Sequence, residues 1–251
     1  MQHGFRDSVN ENGIRKIFRG VLSYDMVNGN SASVTGPKNH VSDPAVQSSG
    51  EEIANSISHG IGAALSIVAL VILVVFASRR GDTLRVVSLG IYGTTLIVMY
   101  LSSTLYHSYS NPRIKHFFRI LDHSSIYLLI AGSYTPIVLV SMRGAWGWTI
   151  FGIVWTMAVC GIVAKIFLTG RYGIVSVILY IAMGWIIVLA IKPMIESVPW
   201  KLFIWLLIGG LSYTFGIIFY AWEKMPYNHT VWHLFVLGGS IAHFIGILLY
   251  I

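Results

Sequence analysis

From Ile53 onward the chain alternates long apolar runs with short polar punctuation. The runs at 53–77, 86–109, 117–141, 146–168, 174–191, 202–222 and 230–251 each approach the roughly 20 mostly apolar residues that a membrane-spanning helix requires. Between them lie polar connections at 78–82, 110–113, 142–144, 169–171, 192–201 and 223–228. Links this short set neighbouring helices antiparallel. A membrane barrel would instead alternate in segments of about ten residues, a pattern absent here. The pattern therefore predicts an all-α protein, a seven-transmembrane helix bundle over residues 51–251. Residues 1–50 are rich in Asn, Ser, Gly and charge and contain no spanning run, so they read as a polar, disordered tail. Within that tail, residues 14–22 also fit a short basic amphipathic helix on a membrane surface. The basic start is not followed by an apolar stretch and cleavage site, so no signal peptide is expected.

Composition sharpens this picture. Hydrophobic residues make up 55% and charged residues 11% of the chain, against about 25% charged in soluble domains. Too little charge is available to clothe a surface in water, so lipid must be the solvent for much of it. Cys160 is the sole cysteine, which excludes an intrachain disulfide or a cysteine-rich zinc site. The net charge of +7 suits anionic headgroups, making membrane lipids the expected partners. Lysines and arginines are scattered, with no nucleic-acid footprint, and no obligate protein partner is evident. Near the spans they divide six and six between the two sides, with Lys165 making seven on the side of the N-terminus and the distal tail adding four. That balance favours a cytoplasmic N-terminus only slightly.

Ionisable groups inside spans are costly and point to function. Asp122 is the only acid between Asp82 and Glu196. His107 ends the second run, and His229 and His233 open the seventh. The latter two are four residues apart, so they share a helix face at roughly 6 Å of rise. Ser103 and His107 repeat that spacing. In an antiparallel bundle, the end of span two and the starts of spans three and seven lie at one level. His107, Asp122, His229 and His233 can therefore meet. Three imidazoles suit a four-coordinate zinc that keeps one position for water, with Asp122 holding that water and Ser103 bonding the acid or a substrate oxygen. The competing reading makes each histidine an interfacial residue, and His-x-x-x-His alone is weak support for a metal. His59 lies on the same side and can line the site, although a helix–helix hydrogen bond is the simpler expectation. His123 points about 100° from Asp122, His243 lies about 15 Å deeper than His233, and His116 falls in a connection.

Taken together, Glu52-x-x-Asn55-x-x-Ser58-His59, Ser103-x-x-x-His107, Leu121-Asp122 and His229-x-x-x-His233 resemble the progestin and adipoQ receptor family. The bacterial hemolysin III branch, with its enterobacterial inner-membrane member, is the nearest likeness, covering about residues 51–251. The resemblance implies seven helices, a cytoplasmic N-terminus, and zinc near the cytoplasmic side of the inner membrane. By the family motif, His107, His229 and His233 are the zinc ligands and Asp122 contacts the zinc-bound water. The wider superfamily includes alkaline ceramidases with the same Ser, His, Asp and paired-His pattern, which implies hydrolysis of a lipid amide. In that chemistry Asp122 is the base and Ser103 stabilises the oxyanion. His123 is a departure, since eukaryotic receptor members carry Tyr there. Two other functions compete: a non-enzymatic regulator of membrane-lipid balance with structural zinc, and a pore-forming cytolysin. The absence of Lys from the seventh run argues against a retinal-binding pump.

Overall fold

A computed structural model describes residues 47–168 and 173–251. The N-terminal segment 1–46, including the basic stretch 14–22, and the connection around Arg171 lie outside the described residues. Among the described residues there is no strand, and seven helical segments are long and apolar enough to cross a membrane. The spans at 53–77, 86–109, 117–141, 146–168, 174–191, 202–222 and 230–251 each coincide with one of them.

In chain order the helices are α1 (Ser49–Ser78), α2 (Thr83–Ser108), α3 (Pro112–Pro136), α4 (Ala145–Leu168), α5 (Gly173–Gly184), α6 (Ile191–Ser197), α7 (Trp200–Ala221) and α8 (Asn228–Tyr250). Their starts follow local chemistry. Ser48 and Glu51 form a reciprocal capping box at α1, satisfying amides that the helix itself leaves open. Asp82 caps α2. Asn111 caps α3 ahead of Pro112, where a missing N–H costs nothing. His116 consequently sits inside α3 rather than in a connection: the Asn-Pro pair starts the helix several residues before the apolar run does. Gly81 and Gly144 adopt positive φ in the tight connections.

Two spans depart from regular α-helix. Pro136 lacks the N–H that would reach back one turn, and the helix continues as a π-turn over Ile137–Ser141. Span five breaks after Gly184 into a 3-10 segment (Ile186–Ala190) before resuming as α6. Pro193 cannot donate to the carbonyl four residues back, so the ladder is interrupted there. The span nevertheless runs to Ser197, beyond the expected end at residue 191.

Neighbouring helices pack in sequence from α1 to α4, α7 packs on α8, and α1 packs on α8. The third span is the central one, with 78% of its most apolar window buried against 11% for the fifth. Small residues permit the close approaches. A Cβ on Gly132 of α3 would collide with Thr95 of α2, and one on Gly62 of α1 would enter the ring of Tyr100. Lipid tails are as apolar as a protein interior, so such intimate packing takes the place of the hydrophobic effect.

Candidate metal centre

The last turns of α2 and the first turns of α1, α3 and α8 meet at one end of the bundle. Polar side chains there are buried deeply: His107 is 4% exposed, His233 2%, Asp122 8% and Ser103 1%. His107, His229 and His233 each turn a nitrogen toward a common point, these atoms lying within 4.8 Å of one another. Their ring centroids are 4.6–5.2 Å apart. This trio can hold a metal ion.

Hydrogen bonds fix which nitrogen two of the rings, His107 and His233, offer. His107 Nδ1 lies 2.8 Å from a Glu52 carboxylate oxygen. A carboxylate only accepts, so Nδ1 carries the proton and Nε2 keeps its lone pair. That Nε2 is buried without a partner. The other oxygen of Glu52 accepts from Lys115 Nζ at 2.6 Å, which locks the carboxylate in turn. At His233, Nδ1 lies 3.2 Å from Ser58 Oγ. The Ser58 hydroxyl already donates to the Asn55 carbonyl, so it accepts from Nδ1–H. His233 Nε2 is therefore a lone-pair donor too. Metal-binding histidines are commonly oriented in this way through their second nitrogen.

Asp122 faces His107, Ser103 and Lys165 from α3. The Ser103 hydroxyl stands beside the carboxyl but makes no hydrogen bond of ordinary geometry. Tyr106, Tyr180 and Tyr220 lie within electrostatic reach of the same acid.

The family model described as Haemolysin-III related matches residues 47–244. The chain belongs to this family. Hemolysin-3 of Bacillus cereus is 52% identical over 201 residues, covering 80% of this chain and 92% of that protein. The Hemolysin-3 homolog of Bacillus subtilis (strain 168) is 48% identical over 200 residues, 80% and 94% of the two chains. More distantly, the human monocyte to macrophage differentiation factor is 27% identical over 207 residues, 80% of this chain and 84% of that one. No solved structure matches.

In this hemolysin III protein the first helix has a larger part than the sequence reading gave it. Asn55, fully buried, accepts from Thr230 of α8 at 2.6 Å. Glu51 accepts the backbone N–H of Tyr227 at 2.8 Å, holding the positive-φ residue that starts α8. Glu52 and Ser58 orient two of the imidazoles. The Glu-x-x-Asn-x-x-Ser spacing thus lays one face of α1 against the histidine trio. The orienting role of Glu52 was missed, although the level-matching rule that joined spans two, three and seven applies equally to the start of span one.

His59 corrects an expectation. It makes no hydrogen bond at either nitrogen; its ring stacks on His233 with centroids 3.5 Å apart and an interplanar angle of 10°. It also meets Tyr100 edge-on. Stacking won because Ser58, one residue earlier, already takes the polar contact across to α8. His123 stands outside the trio, its carbonyl accepting from Tyr180. His243 lies deeper, bonded to the Leu206 carbonyl at 3.2 Å.

Proposed function

We propose that the protein is a zinc-dependent lipid-amide hydrolase of the inner membrane, with its N-terminus and metal centre on the cytoplasmic side. The reading rests on one observation: three converging imidazoles, two of them with the coordinating nitrogen fixed by a hydrogen bond, at one level with a buried acid and a buried hydroxyl. Three neutral nitrogen donors suit zinc. The buried, unpartnered His107 Nε2 fits that ligand set, since a shielded acceptor is costly unless something binds it. Zinc held there supplies Lewis acidity to a carbonyl and to a water.

The chain's own residues supply the remainder. Asp122 takes a proton from water as its oxygen adds to the amide carbon. Ser103 donates its hydroxyl hydrogen to the carbonyl oxygen as negative charge develops. The C–N bond then breaks, Asp122 passes its proton to the departing nitrogen, and a fatty acid and an amine leave. Glu52 and Ser58 keep the imidazoles oriented throughout. A lipid substrate suits a site built from membrane-spanning helices.

The test combines metal analysis of the purified chain with turnover of long-chain ceramides and other N-acyl lipids in vesicles. About one zinc per chain with turnover of an amide lipid is the expected result. Zinc without turnover on a broad panel, while Asp122→Asn still alters membrane-lipid composition in cells, would replace the enzyme with a regulator carrying structural zinc.

A further inference from the structure

The opposite end of the bundle carries a polar feature that the metal centre does not use. Arg79 and Arg80 follow α1, and Arg85 lies in the first turn of α2. The acid between them is already engaged. Asp82 accepts the backbone N–H groups of Leu84 and Arg85 at 3.1 and 3.4 Å, and it pairs with Arg143. None of Arg79, Arg80 and Arg85 has an ion pair among the described residues. Arg80 donates to the backbone carbonyl of Ile251 at 3.2 Å. The Nε of Arg85 is shielded from solvent and has no hydrogen-bond partner.

Arg80 and Arg85 line a narrow, open cleft whose other walls include Leu73, Phe76, Leu89 and Ile247. A guanidinium donor shielded without a partner is unfavourable, and an oxyanion is the group that best satisfies it. A small soluble anion would gain nothing from the apolar walls. Phe76 lines the cleft and is also 51% exposed, so the cleft continues onto the surface that faces hydrocarbon. A phospholipid offers both halves, a phosphate for the arginines and an acyl chain for Phe76. Arg79 lies over the Phe76 ring at 5.9 Å. It adds a third guanidinium without a side-chain ion pair among the described residues, which selects a headgroup of net negative charge over one whose phosphate is neutralised by its own ammonium.

We propose that this cleft, at the membrane face opposite the histidines, binds an anionic phospholipid through its phosphate, with Arg80 and Arg85 as the phosphate donors and Phe76 against an acyl chain. The site is independent of the metal centre and of any hydrolysis there.

Native mass spectrometry of the purified full chain, titrated with phosphatidylglycerol, phosphatidylcholine or inorganic phosphate, tests it. One phosphatidylglycerol should be retained in preference to phosphatidylcholine. Arg85→Gln should weaken that retention about tenfold, as expected for a lost charge-assisted bond, while Arg143→Ala should not. Metal content serves as the folding control, because the variants lie at the other end of the bundle. Should Arg85→Gln fail to fold, the wild-type lipid comparison and Arg85→Lys decide. Equal retention of the two lipids, or unchanged retention in Arg85→Gln, overturns the site. Inorganic phosphate binding as tightly as the lipid overturns the lipid assignment.

Discussion

The two ends of the bundle handle buried charge in opposite ways. At the histidine end, polar groups from four helices satisfy one another: Glu52 holds His107 and Lys115, Ser58 holds His233, and Asn55 holds Thr230. At the arginine end, the bonds are mostly local caps, and the cations outnumber their acid. Cross-helix networks fix geometry because each member depends on a distant partner. Local caps only fix where a helix begins. The difference teaches where precision was needed: one end holds side chains in a defined constellation, the other presents charge to a membrane surface.

The sharpest way to break this contrast is to empty the constellation. Changing His229 and His233 together to Ala should take zinc from about one per chain to none, while the protein still inserts. Full metal occupancy in that variant would sink the metal centre. Asp122→Asn comes next. It should keep zinc, since all three imidazoles remain, yet lower turnover by about 10²–10⁴-fold; wild-type turnover with zinc retained would remove Asp122 as the base. Glu52→Gln keeps the side chain's shape but withdraws the carboxylate from His107. Loss of such an orienting partner typically costs about 10–100-fold in metal affinity, and competition against a zinc chelator measures it. Unchanged affinity would make Glu52 a mere helix clamp.

The smallest effects are expected from local interactions. Ser48→Ala removes the cap of α1 and should cost about 1 kcal/mol of stability, read from unfolding in detergent, with zinc stoichiometry intact. Arg143→Ala, which releases the pair with Asp82, should leave both zinc content and Tm nearly unchanged, as exposed ion pairs contribute little. A large loss of zinc from Arg143→Ala would show that the two ends are coupled.

Much of this arrangement was legible in the sequence. The seven spans stand out because lipid tolerates so few charges that each apolar run is bounded sharply. The meeting of His107, His229, His233 and Asp122 follows from helix parity and a four-residue spacing, which need no knowledge of packing. What escaped depends on rotation about helix axes, which apolar counts do not encode. The count shows that His59 is level with the site; only packing shows that it stacks instead of bonding. The early start of α3 at Pro112, which carries His116 into the helix, is set by a cap and not by hydropathy. The break in span five falls between Gly184 and Ile191, just ahead of Pro193, inside a stretch that still reads as apolar.

The clasp between the first and last helices has a consequence for how the protein is made. Glu51 and Tyr227 are 176 positions apart, and Asn55 and Thr230 are 175 apart. A chain still emerging at its sixth span holds only one of the three imidazoles. The histidine trio therefore comes together only when the last helix docks on the first, so under the proposed zinc reading metal uptake is the closing step of assembly, and a chain cut before residue 228 should leave the membrane-insertion machinery with no capacity for tight zinc binding.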